Sequence, residues 1–456
     1  LFIFFYCNLS GQEPFTIVDS IVISGLKHTK RHVVEKELNF QKGDTIFFNR
    51  LSNIFKNNKD RLLGTGLFVD VKFNLKEFNS NTSKGKIMID VKESWYIYPN
   101  IYMELTDRDF NEWFYDHSAQ LNRINIAFQI THTNLSGNND PLKLKIQRGI
   151  SKKLELLYVK PFINDGHKGG ILFNILYKYS KEIPFNTINN KLVLYRDETK
   201  RMISNLRITA GYTLRPAIYA THKFEFGYFN TNIDSMVYKN LNPDFLNNKT
   251  KEKYISLKYS YINDRRDFKI YPKKGYLLGF SIEKKGIGIF KDINTLDISL
   301  ALEKYHSFSR NLFTSLKLRA KKRLYQTSSS YMMDKALGYE QDFLNGYELY
   351  VIDGQDYLYG KTSGKIKLAK GFLDLGRWIN IKQFVTIPYQ FHFSFNFDFG
   401  YVNNNSNFVK NNFTNRLIYG YGPGLDMIIY HNYFQLNFSI NHLGEKGVFF
   451  HYNKEI

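Results

Sequence analysis

The chain has almost no cysteine and no long apolar stretch. A single cysteine in 456 residues excludes a disulfide scaffold and a Cys-ligated metal cluster. No run of about 18 uninterrupted apolar residues occurs, so membrane-spanning helices are excluded as well. Charged residues make up only 23% of the chain, which argues against disorder. The apolar residues are therefore present but dispersed.

Aromatic and basic residues are both abundant. The chain has 40 Phe, 33 Tyr and 3 Trp and a formal net charge of +21. Many rings with a mean hydropathy of −0.38 are typical of transmembrane barrels, in which every second residue carries the apolar band. The cations are spread along the chain, and Lys317, Arg319 and Lys321 alternate with apolar residues. We therefore do not expect a nucleic acid partner.

The N-terminus reads as the remnant of an export signal. Residues 1–6 are apolar or aromatic and resemble the end of a signal-peptide core, with a possible cleavage site near Ser10. The alternative is a short buried strand. We predict a signal-peptide remnant over residues 1–12, with Cys7 removed during export.

Residues 15–94 predict a small α+β domain. Hydrophobic periodicity gives the order strand, helix, helix, strand, strand. This order, with Gly25, Thr29, Gly43 and Gly64 at the breaks between elements, resembles a POTRA domain. The resemblance implies that an exposed sheet edge binds extended segments through main-chain hydrogen bonds. The alternative is a generic domain that only spaces or anchors the rest of the chain.

From residue 95 onward, short runs alternate between apolar and polar residues. Between Phe391 and Phe399, for example, every second residue is Phe, so one face of the strand is apolar. The predicted fold is an all-β transmembrane barrel of about 16 antiparallel strands over residues 95–456, preceded by the α+β domain. Six aromatic residues near strand ends are expected at the membrane interface: Trp95, Tyr96, Tyr98, Tyr254, Tyr430 and Tyr433. The predicted strands are 97–106, 120–131, 142–149, 153–162, 169–180, 189–196, 203–213, 219–231, 253–263, 275–285, 294–306, 310–324, 361–371, 384–400, 415–430 and 433–441.

Three motifs follow one another in this region. The first is a strand-start motif, the second is the tip of a long loop over residues 326–360, and the third is a D-x-G strand. Their residues are Asp264, Arg265, Asp267, Pro272 and Gly275; Asn345, Gly346 and Tyr347; and Asp398 and Gly400. In this order, the three motifs resemble the BamA/TamA-type outer-membrane assembly family of surface-antigen proteins.

The resemblance implies that loop 326–360 folds into the barrel lumen. In the family the loop tip carries an arginine that pairs with the aspartate of the D-x-G strand. Here Asn345 holds the arginine position and Asp398 is kept. We expect weaker docking, or compensation by another cation such as Arg265, Arg266 or the face that carries Lys317. The resemblance also implies a barrel seam that opens between the first strand and the last.

The function implied by the resemblance is assistance in the insertion, assembly or translocation of other proteins. Implied partners are unfolded outer-membrane proteins, outer-membrane lipid and lipopolysaccharide, with periplasmic chaperones and accessory lipoproteins as further candidates. The implied location is the outer membrane, with the POTRA domain in the periplasm. No enzyme, cofactor or metal motif is found. Two alternatives stay open, an outer-membrane channel or structural component without assembly activity, and a soluble β-rich binding protein.

Overall fold

The computed structural model describes residues 13–161, 163, 168–217, 219–269, 271–339, 342–374, 386–405, 411–429 and 432–454. The predicted signal-peptide remnant, 1–12, and Tyr430 lie outside these residues. The helices are α1 (Arg31–Glu37), α2 (Phe48–Gly64) and α3 (Phe110–Tyr115), with single turns of 3₁₀ or π helix at Leu121–Arg123, Val237–Leu241, Pro243–Leu246 and Tyr331–Met333. The strands are β1 (Phe15–Ser24), β2 (Thr45–Phe47), β3 (Phe68–Asn79), β4 (Lys84–Glu93), β5 (Ile97–Leu105), β6 (Ile124–His132), β7 (Leu142–Arg148), β8 (Ser151–Lys160), β9 (Gly169–Ser180), β10 (Glu182–Ile188), β11 (Lys191–Arg196), β12 (Ile203–Ala217), β13 (Ala220–Ile233), β14 (Lys251–Asp264), β15 (Gly275–Lys285), β16 (Asn294–Ser307), β17 (Leu312–Ser328), β18 (Lys335–Leu337), β19 (Ile352–Asp353), β20 (Asp356–Asp374), β21 (Thr386–Asn403), β22 (Leu417–Ile429), β23 (Asn432–Asn441) and β24 (Lys446–Lys454).

The chain divides into two compact units. The first contains the chain up to Asn100 with segments 130–144 and 157–170, and the second contains the remainder. Within the described part of the chain, every helix is too short or too polar to cross a membrane.

A four-stranded sheet forms the centre of the first unit, in the order β2-β1-β4-β3 with β1 parallel to β4. Alternate residues of β4, including Ile87 and Ile89, are fully buried and pack with Val34 of α1 and Leu62 of α2. The two helices cover this face because their apolar residues recur at helical spacing. The predicted order of elements is thus found, with the three-residue strand β2 added between the helices.

Sixteen strands form one antiparallel sheet that runs from β5 to β24 in sequence order, leaving out the hairpin β10–β11 and the short pair β18–β19. The four-residue turn 308–311 lies at one end of the strands, and three long connections, 181–202, 234–250 and 329–355, lie at the other. We name these the short-turn end and the long-loop end.

The sheet buries its polar face and exposes its apolar face, which is the reverse of the arrangement in a soluble protein. On β21 the polar residues His392, Ser394, Asn396 and Asp398 are at most 5% exposed, whereas the phenylalanines between them, at 393, 395 and 397, are 42–52% exposed. The polar face is therefore the inner face and the apolar face is the outer one, as in transmembrane barrels. The predicted fold class is confirmed, and the soluble alternative is contradicted by the exposed phenylalanines.

The predicted number of strands is right, but one predicted strand is wrong and one strand is missed. Segment 189–196, predicted as a barrel strand, pairs with β10 in a separate hairpin. The last strand is β24, which the prediction missed, so the sheet ends at β24 rather than near Phe434–Ile440. The predicted interfacial positions of Tyr254 and Tyr433 are also wrong. Tyr254 is buried and stacks on Phe229, and Tyr433 contacts the buried Tyr271.

Candidate functional site

The long segment between β17 and β20 packs on the inner face of the sheet. It spans 329–355, shorter than the predicted 326–360 because both flanking strands extend beyond their predicted ends. Its anchors are apolar. Loop residues Leu337, Leu344 and Ile352 form one buried cluster with Val402 and Ile418 of the sheet. Burial of this apolar area stabilises the docked loop.

The predicted tip and its predicted aspartate do meet. The backbone N–H of Asn345 donates to Asp398 Oδ2 at 3.1 Å. The Asn345 side chain turns the other way, and its Oδ1 accepts from Asn437 Nδ2 at 3.0 Å. The nearest cation to Asp398 is Lys361, whose Nζ lies 3.9 Å from Oδ2. Lys361 was not among the compensating cations that the sequence suggested.

Two glycines allow the tip to lie against the sheet. Gly346 has a φ of +78°, and a Cβ there would lie 2.8 Å from the backbone nitrogen of Asn441. Gly420 on β22 faces the carbonyl oxygen of Asn345 with no room for a side chain. Both positions therefore require glycine. The side chain of Tyr347, the residue after Gly346, is buried, and its hydroxyl forms a hydrogen bond with His442 Nδ1.

Gly400, the last residue of the D-x-G motif, lies beside the same loop. A Cβ there would lie 2.6 Å from Leu344 Cδ1. Of the predicted site residues, the tip and the D-x-G strand are therefore brought together.

A single arginine binds the backbone of the loop, and no sequence motif predicted it. Arg108, in the connection between β5 and β6, donates to the carbonyl oxygens of Glu348 and Tyr350, each at 2.9 Å, and also to that of Gly338. Its Nε lies 3.6 Å from the Glu112 carboxylate. A guanidinium presents several donors in one plane, so one side chain fixes three points of the loop.

The loop also buries a carboxyl group. Both oxygens of Glu348 are buried without a hydrogen bond to any described residue, and His451 Nε2 of β24 lies 3.6 Å away. Burial raises the pKa of Glu348 to about 8, because removal from water disfavours the charged form. Glu348 is therefore mostly neutral at pH 7.

The strand-start motif organises a separate charge cluster at the short-turn end. Asp264, the last residue of β14, accepts two hydrogen bonds from Arg266, at 2.9 and 2.8 Å. Arg266 also donates to Glu303 of β16 at 3.0 Å. Asp267 Oδ1 instead accepts backbone N–H groups of its own turn, including that of Lys273 at 2.9 Å.

The remaining residues of this motif complete the turn. Gly275 begins β15 with a φ of +103°, and Pro272 lines an inner cavity of about 1120 Å³. Arg265 lies over the exposed ring of Tyr219. The motif therefore orders a turn and places Arg266, rather than Arg265, on the inner face.

The edges of the sixteen-stranded sheet are β5 and β24, and no ladder between them occurs in the part of the chain that the structure describes. Helix α3 covers the free edge of β24 instead. The amide of Asn111 accepts from the Phe450 N–H at 2.8 Å and donates to the Phe450 oxygen at 3.1 Å. Tyr115 OH donates to the Val448 oxygen at 2.7 Å. An asparagine side chain thus takes the place of a neighbouring strand's peptide group.

In the first unit, predicted Thr29 is buried at the centre of a hydrogen-bond network. Its N–H donates to Glu93 Oε1 at 2.7 Å, and its hydroxyl contacts Tyr96 OH and Asn134 Nδ2, each at 2.9 Å. Burial by itself would raise the pKa of Glu93. The hydrogen bonds that its carboxylate accepts from backbone N–H groups outweigh burial and lower the pKa below its ordinary value.

The predicted POTRA glycines lie in the same unit. Gly25 and Gly43 have positive φ at the ends of connections, and Gly64 is the last residue of α2. In the part of the chain that the structure describes, no group of three His, Cys, Asp or Glu side chains could hold a metal ion.

The site thus contains a docked loop and a covered sheet edge. A family profile described as the Omp85 superfamily domain matches residues 134–441, more than half of the chain. The chain belongs to the Omp85 superfamily. A second profile, the surface antigen variable number repeat of POTRA type, matches residues 16–94.

Solved structures agree with the Omp85 fold. BamA from Haemophilus ducreyi lacking POTRA domains 1–3 aligns with a TM-score of 0.62 at 12% identity, over 96% of this chain and 84% of that one. CdiB from Acinetobacter baumannii aligns with a TM-score of 0.51 at 11% identity, over 96% and 73%. At such identities the likeness concerns the fold alone. No curated protein sequence matches the chain.

Proposed function

We propose that this Omp85 protein lies in the outer membrane, with its POTRA domain in the periplasm, and assists the insertion, assembly or translocation of other proteins. The observation that carries the proposal is the state of the sheet edges. Among the residues that the structure describes, β24 forms no ladder with β5, and side chains of α3 satisfy its edge. A side-chain cover is easier to displace than a strand ladder, because it contributes few hydrogen bonds.

Once α3 is displaced, the edge of β24 is suited to pairing with an extended client segment. Strand edges present unpaired N–H and C=O groups that recruit further strands. Main-chain pairing does not depend on client sequence, so many unfolded outer-membrane proteins fit as partners. No catalytic group or cofactor takes part in this mechanism.

A second edge lies in the POTRA domain. Strand β3 is at the border of its sheet and has 12 residues, whereas the opposite border is the three-residue β2. We assign client capture to β3, because a long edge offers more hydrogen bonds to an extended segment. Periplasmic chaperones and accessory lipoproteins are further candidate partners of this domain.

Depletion of the protein in its own cells, followed by quantitative proteomics of the outer membrane, tests the proposal. We expect other barrel proteins to decrease several-fold while lipoproteins and inner-membrane proteins keep their levels. Unchanged levels of every other barrel protein would contradict the proposal.

A locked variant tests the edge directly. In a Cys7→Ser background, Tyr115→Cys and Val448→Cys are joined by a short reducible cross-linker, and insertion of an unfolded barrel client is measured in proteoliposomes. We expect activity to be lost on cross-linking and recovered on reduction. Treatment with the cross-linker should not change the activity of either single-cysteine variant. Full activity of the cross-linked chain would show that client insertion does not use the edge of β24.

The alternative function is an outer-membrane channel or structural component. The Asn345 that replaces the family's arginine favours it, because the tip lacks a charge. Planar-bilayer recording separates the two functions. A large steady conductance that Asn345→Arg does not alter supports a channel, whereas we expect low conductance because the loop occupies the inner face.

A further inference from the structure

A row of charged residues crosses four neighbouring strands on the inner face. In the strand register, Glu303 of β16 lies opposite Lys317 of β17, Lys317 opposite Lys361 of β20, and Lys361 opposite Asp398 of β21. Two lysines are therefore direct cross-strand neighbours. Like charges at directly opposite positions destabilise a sheet unless something compensates them.

The two acids at the ends of the row are already engaged. Glu303 binds Arg266 at 3.0 Å, the Tyr305 hydroxyl at 2.6 Å and also Arg319. Asp398 accepts the Asn345 N–H and is the only acid within 4 Å of Lys361 among the described residues.

Lys317 takes part in none of these hydrogen bonds and ion pairs. It makes no side-chain hydrogen bond and no ion pair within 4 Å to another described residue. The row therefore has an excess of positive charge centred on Lys317 and Lys361.

These lysines face the same inner cavity of about 1120 Å³ that Pro272 lines. Its polar end adds hydroxyl and amide donors next to the lysines. Ser315 and Ser363 share a hydrogen bond of 2.6 Å, and Asn396 lies beside them. Ammonium, hydroxyl and amide groups together are the donors that bind phosphate oxygens.

The other end of the same cavity is apolar and belongs to the outer face. It is lined by Met103 of β5, Phe434 of β23, and Phe450 and Tyr452 of β24. Met103 is 75% exposed and Tyr452 is 48% exposed, whereas His451 between the last two is buried. The cavity therefore extends from the inner lysines to membrane-facing side chains at the edges of β5 and β24, beside α3, whose Phe110 also lines it.

We propose that this cavity binds an anionic phospholipid. The phosphate lies on Lys317 and Lys361, and the acyl chains leave between β5 and β24. The charge of the head group matches the excess on the row, and the apolar end matches the chains. The proposal rests on the membrane location given under Proposed function, but not on assembly activity.

Native mass spectrometry of the purified full chain in a neutral detergent tests the site. The ligands are phosphatidylglycerol and phosphatidylcholine with identical acyl chains, and inorganic phosphate alone. We expect phosphatidylglycerol to bind at least about tenfold more tightly than phosphatidylcholine. In the Lys317→Gln/Lys361→Gln variant the preference falls to within about twofold. Lys317→Arg/Lys361→Arg keeps it.

Lys304→Gln is the matched control, because Lys304 adjoins Glu303 on β16 but is exposed on the outer face. It is expected to keep the preference. Removing two facing lysines lessens their mutual repulsion but also takes the nearest cation from Asp398. Heat-dependent gel mobility therefore verifies that the double glutamine variant folds, and limited proteolysis verifies that its loop stays docked.

Three results would overturn the proposal. They are equal binding of the two lipids, an unchanged preference in the double glutamine variant, and inorganic phosphate binding as tightly as the lipid. No client is present in this assay, so its failure leaves the assembly proposal standing, and the reverse also holds.

Discussion

The backbone N–H of Asn345 donates to the carboxylate of Asp398, 3.1 Å away on β21. The Asp398 carboxylate thus accepts a hydrogen bond from a main-chain N–H, where the family resemblance predicted an arginine side chain as the donor. The charge of Asp398 is offset instead by Lys361 at 3.9 Å. The docked loop therefore depends on a neutral donor at its tip and on a cation in the neighbouring strand.

Replacement of Asp398 by asparagine should loosen the loop tip. Asparagine keeps an oxygen acceptor but loses the charge, and a hydrogen bond to a charged group contributes about 1 kcal/mol more than one to a neutral group, so the Asn345 amide should exchange its hydrogen about fivefold faster. Hydrogen exchange with mass spectrometry measures this. Asp197→Asn, in a surface loop where it accepts N–H groups of Thr199 and Lys200, is the control and should leave the tip unchanged. Equal exchange in both variants would contradict the role of Asp398.

Gly346→Ala should undock the tip more strongly than the same change at Gly444. Both glycines have φ near +80°, so both variants carry a backbone strain of about 1 kcal/mol. At Gly346 the new Cβ also meets Asn441, whereas at Gly444 nothing lies within 4 Å. Limited proteolysis of the loop should show faster cleavage in Gly346→Ala alone. Equal cleavage would mean that close approach to β23 is unimportant.

Asn111→Ala should expose the edge of β24. Its removal leaves the Phe450 N–H without its acceptor, at a cost of about 1–3 kcal/mol, so exchange at that amide should rise about 5- to 150-fold. Phe114→Ala is the control, since Phe114 belongs to the same helix, is exposed and stacks on Phe110. An unchanged Phe450 amide would show that α3 does not cover the edge.

Docking of the loop should weaken as pH rises. The pKa of Glu348 is about 8 when buried, against an ordinary value of 4.5. The docked state thus holds a proton that the undocked state releases. Its contribution is complete below pH 4.5, declines from there upward and is lost above pH 8. Hydrogen exchange of the loop at about pH 5 and about pH 8.5, corrected for intrinsic amide rates, should show lower protection at the higher pH.

Glu348→Gln tests the assignment of this pH dependence. A glutamine stays neutral over the whole range, so the variant should show equal protection at both pH values. If the variant keeps the pH dependence, another group is responsible.

Alternation predicted the barrel well, because β21 places polar residues inward and phenylalanines outward without interruption. The same rule failed at β11, whose Leu192 and Leu194 alternate like barrel residues but pair in a separate hairpin. It also missed β24, where Val448, Phe449 and Phe450 are consecutive and hide the period. Periodicity measures one strand at a time and says nothing about which strand is its neighbour.

The site was predictable only where a motif carried it. Asn345 and Asp398 were matched through the family resemblance. Lys361 was missed because only the register of β20 against β21 places it opposite Asp398. Arg108 was missed because its partners lie some 240 positions along the chain, a separation that no local pattern reports.

Helix α3 is joined to β5 by four residues, 106–109. A segment of that length reaches at most about 14 Å, whereas adjacent strands are spaced by about 4.8 Å. The helix can therefore stay on β24 only while β5 and β24 are separated by no more than about three strand spacings. Under the proposed function, an entering client hairpin would pair while α3 still contacts β24, whereas a larger client segment would require α3 to leave that edge.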